Sequence, residues 1–133
     1  EVDRDRVQRR VLALADVVKG VSMFRSKSVD VPVLGIVENM SWFTPAELPE
    51  NKYYIFGKDG GKRLAEKLEI PLLGQIPLVM GIREGGDNGV PAAWNGNSAS
   101  GEAFAQLANN VVNRLELRNK FYKPTEIVKT SRK

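Results

Sequence analysis

Two stretches of the chain place chemically useful residues directly after an uninterrupted apolar run. Glu38-Asn39-Met40-Ser41 follows Val31-Pro32-Val33-Leu34-Gly35-Ile36-Val37, and Pro77-Leu78-Val79 follows Ile70-Pro71-Leu72-Leu73-Gly74-Gln75-Ile76. If both runs are strands of one open parallel sheet, these followers lie outside the carboxyl ends of the strands, where such sheets bind ligands. The Asn39 amide offers a donor and an acceptor side by side, which matches the donor–acceptor edge of adenine; a carboxylate would suit guanine better. Pro77 and Leu78 are expected to offer an apolar platform against a flat base. Plainer roles stay open for the same residues: Asn39 as the cap of a turn, Pro77-Leu78 as the start of an ordinary loop.

A phosphate cradle is harder to find. The nearest candidate, Phe56-Gly57-Lys58-Asp59-Gly60-Gly61-Lys62-Arg63, has Phe56 where a Walker loop needs its first glycine, and Arg63 where it needs Ser or Thr. It reads as a loop entering a helix. The glycines from Gly81 to Gly89 also lack the G-x-G-x-x-G spacing of a dinucleotide fold. The chain contains no Cys and no His, so thiolate or imidazole ligands and the commonest general base are excluded. Glu38, Asp59, Glu84 and Asp87 show no pairing that spacing alone certifies, and no general acid or base is assigned.

The elements that must position these residues follow from apolar periodicity. Val7, Val11, Leu14, Val18 and Val21 recur at steps of three and four, predicting a helix that reaches Phe24. Val31–Val37 is nearly continuous and β-branched, as in a strand buried on both faces. Ile70–Ile76 echoes it position by position, with proline near the start and a glycine inside. Mid-strand glycine points to close approach by a helix or ligand. Gly60–Glu69, with Leu64, Ala65 and Leu68 on one side, predicts the crossover helix that makes the two strands parallel.

Ser41–Phe56, carrying Pro45, Pro49 and Tyr53-Tyr54-Ile55-Phe56, reads as an excursion with a short strand near its end. Trp42 and Phe43 are expected to pack beneath it. Met80–Gly89 and Pro91–Asn97 read as loops, and Phe104, Leu107, Val111 and Leu115 mark a last amphipathic helix. Beyond Arg118 the pattern dissolves into a basic tail.

At 133 residues the chain has the size of one domain. No apolar stretch reaches the about 18 residues of a membrane span, and the charged opening is unlike a signal peptide, so a cytoplasmic protein is expected. The net charge of +4 is concentrated at the end: residues 114–133 hold seven Lys/Arg against two Asp/Glu. That pattern fits a solvated tail better than a nucleic-acid surface.

Taken in order, Val33-Leu34-Gly35-Ile36-Val37-Glu38-Asn39-Met40-Ser41, Tyr54-Ile55-Phe56-Gly57, Pro71-Leu72-Leu73-Gly74-Gln75-Ile76-Pro77-Leu78 and Ile82-Arg83-Glu84-Gly85-Gly86-Asp87 closely resemble the C-terminal part of the Mrp/ApbC proteins, relatives of the MinD and nitrogenase iron-protein ATPases. The resemblance covers roughly residues 12–117. It implies an α/β, parallel-sheet P-loop NTPase fold of the MinD-like kind, present here as an incomplete C-terminal portion (1–117), followed by the tail 118–133. It also implies ATP binding with Mg supplied by the missing N-terminal half, slow hydrolysis, a homodimer in the full-length protein, and iron–sulfur cluster assembly or transfer to apo target proteins. Asn39 matches the adenine-reading asparagine, and Pro77 and Leu78 match the segment on the other side of the base. Arg83 lies in a matching motif but receives no role beyond a surface salt bridge.

Three departures bear on this. The phosphate loop is absent, so these residues alone are expected not to hydrolyse ATP. Many relatives carry Cys-x-x-Cys between the first two motifs, whereas this stretch reads Trp42-Phe43-Thr44-Pro45-Ala46-Glu47-Leu48-Pro49, without a thiol. Glu1–Val11 does not resemble the family. Two rival functions remain: a MinD- or ParA-like ATPase that organises partners or membranes without a cluster, and an interaction module that uses the basic tail. An uncovered edge on the first strand is expected to make the isolated chain weakly stable or self-associating.

Overall fold

The computed structural model describes residues 4–45, 47–94, 96 and 98–124, with residues 4–12 described by backbone alone. Expectations for residues 1–3 and for most of the basic tail lie outside the described residues. Helix α1 spans Arg4–Phe24, strand β1 Ile36–Glu38, helix α2 Gly60–Leu68, strand β2 Leu72–Gln75, helix α3 Met80–Asp87, and helix α4 Ala99–Phe121; a 3-10 turn covers Ala92–Trp94. β1 and β2 pair in parallel with α2 between them in the chain, as their composition requires. Protein of mixed helix and parallel strand is thus what the alternation of apolar periods encodes.

The core forms where the helix stripes meet the strands. Val21 of α1, Ile36 of β1, Leu64 and Ala65 of α2, and Ile70 are buried together, with Leu14, Val18, Val33, Leu68 and Leu72 packed against them. Arg25, just past the end of α1, donates from its guanidinium to the Leu68 carbonyl at 3.4 Å, tying the ends of α1 and α2 together. α2 stops because Glu69 turns left-handed (φ 53) and the Ile70 N–H returns to the Ala65 carbonyl at 3.0 Å, a Schellman-type closure. That reversal delivers buried Ile70 to the start of β2.

Helix α4 begins at Ser98, whose hydroxyl accepts the Gly101 N–H at 3.0 Å, with Glu102 favourably placed in the positive first turn. It packs on β2, where a Cβ on Gly74 would lie 3.3 Å from Leu107. The mid-strand glycine therefore marks a helix approach, as expected. α4 also satisfies two strand-side carbonyls: Asn110 Nδ2 donates to Leu73 O at 2.8 Å and Arg114 Nε to Leu34 O at 3.3 Å.

Several boundaries differ from the periodicity. Pairing begins only at Ile36, not Val31: Pro32 has no N–H, and the N–H groups of Val33, Leu34 and Gly35 find no backbone partner among the described residues. Apolar content predicted a buried strand there, but a ladder needs a neighbour. Met80–Asp87 is a helix rather than a loop, despite Gly81, Gly85 and Gly86. Close packing explains one of these glycines, since a Cβ at Gly85 would meet the Val90 carbonyl oxygen at 2.4 Å. α4 continues past Arg118 to Phe121. The short strand in the excursion reduces to one antiparallel bridge, Phe43 to Tyr53, with both hydrogen bonds at 2.8 Å. Trp42 and Phe43 are half-buried rather than enclosed, and Lys52 Nζ stands 4.2 Å from the Trp42 ring centroid.

Gly35 and Gly20 make a controlled pair. A Cβ on Gly35 would lie 2.3 Å from Leu73 Cγ, whereas nothing approaches within 4 Å of one on Gly20, inside α1. Gly35→Ala is expected to destabilise by about 1–3 kcal/mol through overpacking, and Gly20→Ala to stabilise by up to about 1 kcal/mol through helix propensity. Urea unfolding of both variants checks this; equal effects would mean that Leu73 moves aside at no cost.

Candidate functional site

The parallel ladder does not stop at the ends of β1 and β2. Ile76 N–H donates to Glu38 O at 2.9 Å, Ser41 N–H to Ile76 O at 3.0 Å, and Leu78 N–H to Trp42 O at 2.7 Å, with Phe43 and Leu78 bridged in parallel. In a regular parallel ladder Ile76 would join residues 38 and 40. Here it joins Glu38 and Ser41, so Asn39 and Met40 together oppose a single residue. The result is a β-bulge at the carboxyl end of the sheet, a device that redirects side chains and is frequent beside functional sites.

Three local contacts hold the bulge. Met40 turns left-handed (φ 54), its N–H donates to Asn39 Oδ1 at 2.9 Å, and the Ser41 hydroxyl donates to the Glu38 carbonyl at 2.8 Å. Ser41 is buried while Asn39 and Met40 stand exposed. Asn39 Nδ2 has no hydrogen-bond partner among the described residues, and Oδ1 keeps a second lone pair beside the one used by Met40. The amide is therefore both a turn element and an available donor–acceptor edge, the two roles between which residue type alone could not choose.

The residue before the bulge is fixed differently. Glu38 Oε1 accepts the Gly61 N–H at 2.8 Å, and Oε2 accepts from Gln75 Nε2 at 2.7 Å. Gly61 is the second residue of α2, whose own N-cap, Asp59, makes no side-chain capping bond. A carboxylate 23 residues upstream thus caps this helix and sits at its positive end. The contact is close: a Cβ on Gly61 would lie 2.7 Å from Glu38 Cβ. The helix start that failed the Walker test is occupied by the protein's own anion, which leaves that N–H unavailable to a phosphate.

The residues singled out from the sequence come together at one rim. Asn39 sits opposite Ile76, and Pro77 and Leu78 follow Ile76 directly. Pro77, however, is less than 2% exposed, so its ring packs inward and half-buried Leu78 is the apolar side chain left at that rim. On the other flank of the bulge a cavity of about 170 Å³ is lined by Val17, Val37, Met40, Phe56 and Asn39 among others. It is smaller than the roughly 300–1,000 Å³ of a complete ligand pocket. Arg83 forms an exposed ion pair with Asp87 at 3.5 Å, four residues on, a contact of little energetic weight. No group of three or more carboxylates able to hold a metal occurs among the described residues, and no helix among them is long and apolar enough to cross a membrane.

The carboxylate tie of Glu38 and the bulge were not visible in the sequence. Glu38 bonds to partners 23 and 37 positions away, and no local pattern signals such a contact. Gly61 beside Gly60 was the nearest hint, since a paired glycine at a helix start permits close approach by another group.

A family model described as ParA, NUBPL iron-transfer P-loop NTPase, matches residues 8–112. Among curated proteins, the chain is similar to the iron-sulfur cluster carrier protein of Synechocystis sp., at 41% identity over 109 residues, which is 81% of this chain and 30% of that protein. It is 49% identical over 106 residues to the Arabidopsis thaliana mitochondrial iron-sulfur protein required for NADH dehydrogenase, covering 79% of this chain and 33% of that one. To the iron-sulfur cluster transfer protein NUBPL of Mus musculus it is 42% identical over 106 residues, with 79% and 32% covered. The chain spans about a third of the length of these relatives.

Ser41 offers a direct test of the bulge. Ser41→Ala removes the hydroxyl bond to the Glu38 carbonyl and is expected to cost about 1 kcal/mol, with faster amide exchange at Ser41 in hydrogen-exchange NMR. Unchanged exchange and stability would show that the backbone pairing to Ile76 alone maintains the turn.

Proposed function

The chain belongs to the ParA family of NUBPL-type iron-transfer P-loop NTPases, and on that premise we propose that it forms the base-binding portion of an ATP-binding protein of this family. The observation that carries the reading is the bulge: it exposes the Asn39 amide, Nδ2 unengaged, at the carboxyl rim of two parallel strands. There Nδ2 donates to a ring nitrogen of adenine while Oδ1 accepts from its exocyclic amine, and Leu78, with the backbone at buried Pro77, borders the other side of the base. The donor set fits a purine base and does not fit its phosphates, because these residues contain no Walker loop and Glu38 fills the one glycine-rich helix start. A phosphate loop and magnesium ligands outside residues 1–133 complete the nucleotide site, within a MinD-like parallel sheet that extends from the free edge of β1. Residues 1–117 are its C-terminal portion, and the basic stretch 118–133 begins in the last turn of α4.

The cargo is inferred from the relatives, whose names describe iron–sulfur cluster carriers and transfer proteins. The whole protein assembles or transfers clusters to apo target proteins as a nucleotide-dependent homodimer. Residues 1–133 offer no Cys or His, so the cluster, as a substrate, is held by ligands elsewhere and no transfer step passes through these side chains.

In the full-length protein, Asn39→Ala is expected to weaken ATP binding by about tenfold, the worth of one good hydrogen-bonding edge, and to cost about 1 kcal/mol of stability through the lost Met40 contact. Titration calorimetry measures it, and parental ATP affinity in the variant would remove the base-reading role. Iron and sulfide analysis after oxygen-free purification separates cluster handling from the ParA-type alternative, in which nucleotide-dependent assembly persists with neither element present.

A second reading, an interaction module, is favoured by a groove at the opposite rim. Its volume is about 1380 Å³, and Arg25, Lys27, Arg114, Arg118 and Lys123 line it against Asp30 and Glu69. On this reading a polyglutamate peptide binds at low salt and is released near physiological ionic strength. Binding that ignores both salt and removal of residues 118–133 would eliminate it.

A further inference from the structure

We infer that Glu38 is a positioning residue for purine selection: its carboxylate locks the Asn39–Met40 bulge to α2 and β2, so that the base-reading amide is set before nucleotide arrives. The inference rests on the proposed base-reading role of Asn39 and assigns Glu38 no contact with the base.

Glu38 is engaged at every polar atom that faces the rim. Its carbonyl oxygen accepts the Ile76 N–H and the Ser41 hydroxyl, at 2.9 and 2.8 Å. Its carboxylate accepts the Gly61 N–H and the Gln75 amide, at 2.8 and 2.7 Å. The backbone bonds define the bulge; the side-chain bonds fix the strand from which it springs to the two elements beside it. Glu38 is only partly exposed, and charge-assisted bonds of this length in such surroundings are stronger than neutral ones. The contact at Gly61 leaves no room for drift, since even a methyl group there would collide with the Glu38 side chain. Rotation of the β1 end relative to α2 would break the Gly61 bond, and movement relative to β2 the Gln75 bond, and either would carry Asn39 with it.

A second consequence concerns which purine is accepted. A carboxylate at the rim would attract guanine, which presents two donors, whereas adenine needs a mixed donor–acceptor edge. Glu38 is adjacent to Asn39 in the chain, yet both its oxygens are already committed. Gln75 and Gly61 thereby keep the carboxylate away from the base, and the exposed Asn39 amide alone reads it.

The test compares ATP and GTP dissociation constants, by calorimetry on the full-length protein, for the parent and for Glu38→Gln, Gln75→Ala, Asn39→Ala and the exchanged pair Glu38→Gln/Gln75→Glu. Glu38→Gln removes the negative charge from both contacts, and the 2.7 Å bond to Gln75 survives only as a neutral one with the Gln75 amide turned over. It is expected to weaken ATP binding about tenfold and to narrow the ATP preference over GTP. Gln75→Ala, which preserves the cap on α2, gives a smaller narrowing and serves if Glu38→Gln folds poorly. The exchanged pair restores one carboxylate facing one amide, leaves an oxygen for the Gly61 N–H, and should recover the parental preference. A purely structural Glu38 would lower the melting temperature without moving the ATP-to-GTP ratio; that ratio staying constant in Glu38→Gln and Gln75→Ala, while Asn39→Ala shifts it, overturns the inference and spares the base-reading role. A constant ratio in Asn39→Ala overturns both.

Discussion

The parallel pairing of the two apolar runs governs everything else at the carboxyl rim, and it is held by polar contacts that only a folded chain can assemble. β1 and β2 are joined by three residue pairs, with Leu73 unpaired at a shift in register, and a sheet so short is weakly stable by itself. What extends the pairing is the sequence of bonds from Ile76 to Glu38, Ser41 to Ile76, and Leu78 to Trp42. The Glu38 carboxylate adds ties to α2 and to the neighbouring strand at the point where the ladder is interrupted. Desolvating such a carboxylate is costly unless its oxygens are hydrogen-bonded, and here each oxygen has a partner. The same group supplies the cap that α2 does not make for itself, so one side chain stabilises the helix start, the strand register and the bulge together.

The order of elements was legible because each follows from a short-range pattern. Leu14, Val18 and Val21 form a helical stripe, Leu64 and Ala65 another, and of the two apolar runs the first is rich in β-branched residues while the second echoes its proline and glycine. The glycines inside those runs were also informative: Gly74 meets Leu107 of α4, and Gly35 meets Leu73. Asn39 was placed at the carboxyl rim from its position after an apolar run, and it lies there. What escaped the reading depends on distant or cooperative contacts. Val31–Gly35 has strand composition but no partner to pair with, and Met80–Asp87 is a helix although glycine disfavours one. Pro77 was expected as a platform, yet its ring is interior, because it immediately follows buried Ile76 where the excursion at Phe43 closes against Leu78. The bulge itself adds one residue to a ladder, and nothing in the identity of Asn39 or Met40 announces it.

Charge and apolar surface divide the molecule between its two rims. The carboxyl rim carries an uncharged amide, a sequestered carboxylate and aliphatic neighbours, while the opposite rim gathers arginine and lysine from the end of α1 and the end of α4. Arg25 and Arg114 each spend hydrogen bonds on strand-side or helix-end carbonyls. They therefore have a structural use there, whatever anion the groove also attracts.

The exposed apolar residues give the last step. Val37 is 42% exposed in the middle of β1, and Val17, Met40 and Phe56 stand exposed around the same cavity. A parallel strand is ordinarily covered on both faces and paired on both edges within its sheet, whereas Val37 is left open in mid-strand among the described residues. That position adjoins the bulge through Glu38. Any strand that paired along β1 would therefore press directly on the segment that sets Asn39, and the geometry of that exposed amide would depend on the contact as well as on the Glu38 carboxylate.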